Sequence, residues 1–128
     1  MWSLSEREGW LRLKAVRQLR ENELRRTPNI LTQRVYRTRQ NQVTVKMDVS
    51  NMEDGQIAGL CHFARTYAYI GAIRTDGQTK IVFNENGTSQ TRDITDTKYI
   101  WFGQVKCLCL EKISGQSLEI ILTILKWM

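Results

Sequence analysis

The stretch 51–71 constrains the fold more than any other part of this 128-residue chain, because a turn and two strand-like runs follow one another without a break. The turn Glu53-Asp54-Gly55 contains a glycine, which tolerates positive φ. The next run, 57–63, has the β-branched, small and aromatic side chains that suit a pleated, half-buried surface. In 66–74, apolar or aromatic residues occupy both alternating faces, which predicts a strand inside a sandwich.

Strand-like segments recur at short intervals along the chain, and this spacing predicts an all-β fold, an antiparallel β-sandwich. The clearest segment is 43–49, where odd-numbered residues are apolar and even-numbered residues are polar, so that one face packs and the other meets water. Asp76-Gly77 and Asn86-Gly87 favour two-residue hairpin turns. The predicted strands are 9–16, 29–36, 42–50, 56–63, 66–74, 79–84 and 98–105.

Three ordered blocks carry a resemblance to a known family. They are DGQIAGLCHFARTYAYIGA at 54–72, WSLSER with GWLRL at 2–7 and 9–13, and NILTQR at 29–34. These blocks are similar to the C-terminal domain of family 43 glycoside hydrolases, a concanavalin A-like jelly roll that follows a catalytic five-bladed propeller. The resemblance spans about residues 2–101 and implies the first part of that domain, so the jelly roll is expected to be incomplete.

The resemblance implies a non-catalytic accessory sandwich of a β-xylosidase or arabinofuranosidase that packs on the propeller and helps to shape its sugar pocket. The propeller of the same enzyme is then the direct partner, and a xylo- or arabino-oligosaccharide is a possible ligand. The alternative is a stand-alone carbohydrate-binding module, which needs exposed aromatic residues beside polar groups on one sheet face. Fold alone does not separate the two.

The segment 105–128 departs from the resembling family, which divides the chain into a sandwich at 1–104 and a divergent tail. The apolar run 118–125 fits a buried strand and a helix equally well. A truncation or a frame shift after about Phe102 is our working hypothesis. If the chain is genuine as written, the tail is expected to act as a substitute strand that covers an open sheet edge.

The region 61–67 is the candidate contact for a sugar or for the catalytic domain, because it mixes aromatic faces with hydrogen-bond donors. The interpretation of Phe63 and Tyr67 as core residues is favoured over their interpretation as contact residues. Trp10 and Trp101 are likewise expected to be core aromatics. The candidate contact residues are His62, Phe63, Arg65 and Tyr67.

No catalytic residues are predicted. Glycoside hydrolysis usually needs two carboxyl groups about 5–10 Å apart. The chain has 13 acidic residues, but most of them fall where turns or solvated faces would place them. The resemblance also assigns the catalytic acids to the propeller, so this chain is expected to be inactive on its own.

The remaining signals favour simple explanations. The chain has a net charge of +6, with nine Lys or Arg residues between residues 12 and 39, and such a basic stretch can bind nucleic acid. Binding of single strands also uses aromatic rings on which bases stack, and Tyr36 is the only aromatic residue from 17 to 39. No nucleic acid partner is therefore expected. Cys61, Cys107 and Cys109 are an odd set with poor spacing for zinc, and no metal or cofactor is expected. No run is apolar enough to span a membrane. No signal peptide is evident, but an upstream domain can carry one, so the localisation stays open, with a bacterial cytoplasm or periplasm favoured.

Overall fold

The computed structural model describes residues 2–17, 24, 29–34, 40–63, 67–94, 97–107 and 119–126, and in these ranges regular structure is almost entirely β-strand. The short strands come first in the chain, and the long ones follow from β5 onward. In chain order, the strands are β1 (Trp2–Ser3), β2 (Arg12–Leu13), β3 (Val16–Arg17), β4 (Ile30–Arg34), β5 (Gln40–Asp48), β6 (Gln56–Phe63), β7 (Tyr67–Thr75), β8 (Gln78–Glu85), β9 (Thr88–Asp93), β10 (Tyr99–Cys107) and β11 (Glu119–Lys126).

The larger sheet has seven strands within the described ranges, in the order β3-β11-β6-β7-β8-β9, with β4 also paired to β11. The pairs β6–β7, β7–β8 and β8–β9 are antiparallel hairpins. Strands β3 and β4 share one side of β11, β3 parallel to its C-terminal end and β4 antiparallel to the rest. The predicted all-β fold is confirmed.

The second layer consists of β5 and β10, paired antiparallel. Its inner face packs on the larger sheet because apolar residues alternate with polar ones along β5. The predicted division of 43–49 is confirmed, since Val43, Val45, Met47 and Val49 all pack into this core. The buried residues of the inter-sheet core are Met47, Val49, Ala58, Leu60, Ala72 and Phe102.

The opposite face of the larger sheet carries a second apolar cluster. Its buried members are Leu24, Ile57, Cys61 and Val82, and half-buried Ile30, Tyr67, Tyr69 and Ile73 pack against them. Strands β6 and β7 therefore contribute apolar side chains to both faces. The prediction that the 66–74 strand lies inside a sandwich is confirmed.

The hairpin turns follow the sequence signals. Asp76 and Gly77 both have positive φ, at 51° and 74°, and Asn86 and Gly87 have 50° and 85°. The registers Thr75↔Gln78 and Glu85↔Thr88 leave two residues in each turn, as predicted. Gly55, in the turn before β6, also has positive φ, at 80°.

One expectation for the N-terminal half was wrong in detail. The strand predicted at 9–16 is instead two short strands, because β2 pairs with β1 whereas β3 pairs with β11, so the chain changes partner between them. The strand β9 at Thr88–Asp93 was not predicted, since all six of its side chains are polar and exposed and no alternation marks it. The apolar run near the C-terminus, which fitted a strand or a helix, is strand β11.

Candidate functional site

A cluster of aromatic rings lies on the outer face of the β5–β10 sheet. Tyr99 and Trp101 alternate with inward-facing Ile100 and Phe102 along β10, and Trp10 joins them from the segment before β2. The Trp10 and Tyr99 ring centroids are 5.8 Å apart with the planes at 24°. Tyr99 and Trp101 meet edge to face, with centroids 6.4 Å apart at 64°. We call these three rings, with Lys46 and Arg7, the aromatic face.

In the described part of the chain, three cations lie over these rings, namely Lys46, Arg7 and Lys98, and the Nζ of Lys98 is 5.3 Å from the Tyr99 centroid. The Nζ of Lys46 is 4.5 Å from the Tyr99 centroid, 5.1 Å from that of Trp101 and 5.4 Å from that of Trp10. The guanidinium carbon of Arg7 is 4.2 Å from the Trp10 centroid. These distances are within the range in which an aromatic ring attracts a cation. Register explains the position of Lys46, which is directly paired with Trp101 across the two strands.

Asp48 fixes one end of the aromatic face. The Arg7 guanidinium donates to its carboxylate at 2.7 Å, and the Ser50 hydroxyl donates at 2.6 Å. Burial of Asp48 opposes its ionisation, but the hydrogen bonds from Ser50 and Arg7 outweigh that effect and lower its pKa to about 2. Hydrogen bonding to Asp48 raises the pKa of Arg7, and a hydrogen bond with Arg7 lowers the pKa of Tyr99.

A hollow of about 650 Å³ adjoins the aromatic face. Arg7, Trp10 and Lys46 belong to both the face and the lining of the hollow. Other lining residues include the carboxylates of Glu6, Asp48 and Glu53 and the apolar side chains of Leu11, Leu13, Val45, Met47, Met52 and Ala58. The hollow therefore combines apolar surface with charges of both signs, the mixture found in small-molecule sites.

The core prediction for Trp101 was wrong, because its side chain is 60% exposed. The adjacent Phe102, only 3% exposed, takes the inward position on β10. Trp10 is half-buried, with Tyr99, Arg7 and Lys46 against its ring. The alternation of Tyr99 and Trp101 with Ile100 and Phe102 was the signal that could have identified the exposed ring.

The candidate contact residues from the sequence lie at the end of the β6–β7 hairpin. His62 is half-buried, and Tyr67 packs against the cluster that contains Cys61. The backbone pairs are His62↔Ala68 and Phe63↔Tyr67, so His62 and Tyr67 are on opposite faces of the sheet. Arg65 and the Phe63 side chain lie outside the described residues, and the grouping of these four residues stays a prediction.

Cys61 lies in the apolar cluster with Leu24, Ile57 and Val82, on the face of β6 turned away from β5 and β10. Burial raises its pKa to about 12, so it is protonated and poorly nucleophilic at neutral pH. Cys109 and the Cys107 side chain are outside the described part of the chain. Among the described residues, no group of three His, Cys, Asp or Glu is placed to hold a metal ion. In the same ranges, no helix has the length and apolarity that a membrane span requires.

The fold and its surface define a concanavalin A-like β-sandwich with an aromatic and cationic outer face. Residues 1–112 match the family model of the beta xylosidase C-terminal concanavalin A-like domain, and the chain therefore belongs to this family of glycoside hydrolase family 43 domains. The family resemblance found in the sequence is confirmed. The domain is the C-terminal part of these hydrolases.

Two relatives illustrate the likeness. A beta-xylosidase of Formosa agariphila is 31% identical over a region that covers 55% of this chain and 15% of the relative. A solved structure of a bifunctional GH43-CE protein of Bacteroides eggerthii superposes with a TM-score of 0.77 at 25% identity, covering 98% of this chain and 20% of that protein. The chain thus spans a fifth or less of the length of each.

Proposed function

We propose that the chain is an accessory sandwich of a family 43 glycoside hydrolase of β-xylosidase or arabinofuranosidase type. In this role it packs against the catalytic propeller of the same enzyme and helps to shape the sugar pocket there. Xylo- or arabino-oligosaccharides are the ligands that this role implies. The family membership supports the accessory role, and one feature of the larger sheet supports the packing.

That feature is a single row of side chains across the larger sheet. The backbone register of β4, β11, β6, β7 and β8 aligns Leu31, Leu60, Ile70 and Phe83 in one row, and because Leu60 and Ile70 pack into the inter-sheet core, these four side chains lie on the face turned toward β5 and β10. Leu60 in the middle is only 2% exposed. Leu31 and Phe83, on either side, are 47% and 41% exposed.

The two-stranded layer therefore covers the centre of this face and leaves apolar side chains on both flanks. Apolar surface in contact with water favours burial by about 25 cal/mol for each Å² that is covered. A protein domain that covers the exposed side chains of Leu31 and Phe83 would therefore gain binding free energy from this burial. The catalytic propeller is the partner that we propose for them.

The end of the β6–β7 hairpin is the part that we propose to face the sugar pocket. His62 and Tyr67 lie on opposite faces at that end, and Arg65 lies between them in sequence. Phe63 pairs with Tyr67 at the last register position of the hairpin. Binding residues are often found where a rigid scaffold positions them, and the long paired strands β6 and β7 are such a scaffold.

The DNA on both sides of the reading frame tests this proposal. We expect a propeller coding region upstream. The family match reaches residue 112, so the divergence predicted for 105–128 is confined to the residues after 112. We also propose that this part is divergent through a frame shift, so that another frame restores alternating strands. A flanking sequence without a propeller would contradict the accessory role, and the absence of restored strands in all three frames would contradict the frame shift.

A second candidate function is carbohydrate binding by the sandwich itself. The alternative drawn from the sequence required exposed aromatic residues beside polar groups on one sheet face. Trp101, 60% exposed, lies on the outer face of the β5–β10 sheet with exposed Lys46 and Thr44. This observation favours the candidate, and retardation of the protein in a native gel that contains xylan tests it.

A further inference from the structure

We propose that the aromatic face binds a carbohydrate chain that carries carboxylate groups, with a sugar ring on Trp101 and a carboxylate at Lys46. The inference rests on the second candidate function and adds a chemical class of ligand to it. Two observations carry it, namely the arrangement of the rings and the charge that lies among them.

The rings offer one accessible platform. Trp10 and Tyr99 stack with centroids 5.8 Å apart, which leaves no space for a ligand ring between them. Trp101 turns away from this stack at 64° and is 60% exposed. Its indole is therefore a flat apolar surface, held in place by Tyr99, on which the C–H face of a sugar can lie while the sugar hydroxyls stay in water.

The charge at the platform is positive and lacks a carboxylate partner. Lys14 and Lys80 each pair with a carboxylate, at 3.0 and 3.1 Å. Arg7, on the aromatic face itself, pairs with Asp48. Lys46, by contrast, contacts the three rings and no carboxylate within the part of the chain that the structure describes. Its ammonium group keeps donors for an anion on the side away from the rings.

A sugar carboxylate suits this site better than a nucleic acid does. Binding of a phosphate backbone usually depends on several cations that each neutralise a phosphate. Here the other cations that line the adjoining hollow are already paired, Arg7 with Asp48 and both Arg12 and Lys14 with Glu6, so the site offers no run of free cations to successive phosphates. An isolated carboxylate beside a neutral sugar ring needs one cation and one aromatic surface, and Lys46 with Trp101 supplies both.

Affinity electrophoresis of the whole chain tests the inference. The gels contain a xylan substituted with glucuronic acid, or the same xylan after enzymatic removal of the uronate, at low salt and at 0.5 M NaCl. We expect binding to the acidic xylan to be roughly five- to tenfold tighter at low salt, and most of this preference to disappear at high salt. K46Q should lose the preference and keep the binding to neutral xylan, whereas W101A should lose both.

Two variants outside the aromatic face serve as matched controls. K80Q removes a lysine from β8, and W2A removes a tryptophan of β1 that is 64% exposed; both should bind like the original chain. Circular dichroism checks that W101A is folded, and W101F, which keeps a ring, should retain part of the binding.

Each other outcome overturns a separate part of the inference. Equal affinity for the two xylans would overturn the carboxylate assignment while sugar binding stood. No binding to either xylan would overturn the inference together with the second candidate function, and would leave the accessory role to its own test. Tighter binding to a single-stranded oligonucleotide than to acidic xylan would overturn the inference in favour of nucleic acid.

Discussion

Gly59 on β6 and Gly71 on β7 face each other directly across the hairpin, and their backbones lie too close for a side chain on either residue. A Cβ atom built on Gly59 would lie 2.6 Å from the Cα of Gly71. One built on Gly71 would lie 3.0 Å from the Cα of Gly59. The close approach occurs in the centre of the larger sheet, between two strands that are buried on both faces.

Gly59→Ala is therefore expected to destabilise the sandwich. The atoms in contact are backbone, which cannot move without opening the β6–β7 pairing, so we expect a loss of about 1–3 kcal/mol in the free energy of unfolding. Urea denaturation followed by circular dichroism measures it.

Gly103→Ala is the matched control on β10, because the nearest atom to its Cβ would be the Thr44 Oγ1 at 3.8 Å. This second substitution should leave the urea midpoint unchanged or raise it, since alanine has less backbone freedom to lose on folding. A larger loss for Gly103→Ala than for Gly59→Ala would contradict the role assigned to the close approach.

Gly77→Ala tests the turn between β7 and β8. The residue has φ of 74° and nothing lies within 4 Å of its Cβ position, so the expected cost arises from the backbone conformation alone. We expect a loss of about 1 kcal/mol. Gly77→Asn, which tolerates positive φ better, should recover part of that loss in the same urea measurement. Equal stability of Gly77→Ala and the original chain would contradict this account of the turn.

Asp48 gives the stability of the fold a dependence on acid pH. Its pKa in the folded chain is lowered to about 2, so its contribution is fully present above pH 4 and is lost as the pH falls through about 2. Asp48→Asn should cost about 1–2 kcal/mol at pH 7, a modest value because Arg7 is a third exposed and water screens the pair. The difference in unfolding free energy between Asp48→Asn and the original chain should shrink toward zero near pH 2.

Urea denaturation at pH 7, 4 and 2 measures this difference. Asp93→Asn is the control, since its carboxylate is 79% exposed, and it should change little at any pH. A cost of Asp48→Asn that is the same at pH 2 as at pH 7 would show that the charge of Asp48 is not responsible.

The central hairpins were predictable from sequence because local signals and burial agree there. Asp76-Gly77 fixes the register of β7 and β8, and the apolar residues of 57–63 and 66–74 have core on both faces to fill. Strand β9 lacks such a signal, since neither of its faces packs. β9 pairs with β8 across the Asn86-Gly87 turn. The sequence predicts this hairpin turn, and a hairpin turn implies a second strand after it, but the residues of β9 do not themselves indicate a strand.

The surface was harder to predict than the core. Trp101 looked like a core residue because large aromatic rings are usually buried, but the two-stranded β5–β10 layer has its second face in solvent. The cluster of Trp10, Tyr99 and Lys46 joins segments far apart in sequence. The β5–β10 register brings Lys46 near Tyr99, and Trp10 joins them by stacking on Tyr99. The grouping of His62 with Arg65 and Tyr67 stays a prediction for the same reason, because it depends on a loop conformation that sequence patterns do not determine.

Packing of the sandwich on a catalytic domain is tested most directly by mixing this chain with the propeller of the same enzyme, produced separately. Size-exclusion chromatography and hydrolysis of an aryl β-xyloside should show a one-to-one complex and increased activity. Phe83→Ser should weaken the complex, whereas Leu4→Ser, which removes a 63% exposed apolar side chain outside the larger sheet, should not. Separate elution of the two proteins, with unchanged hydrolysis, would contradict this packing.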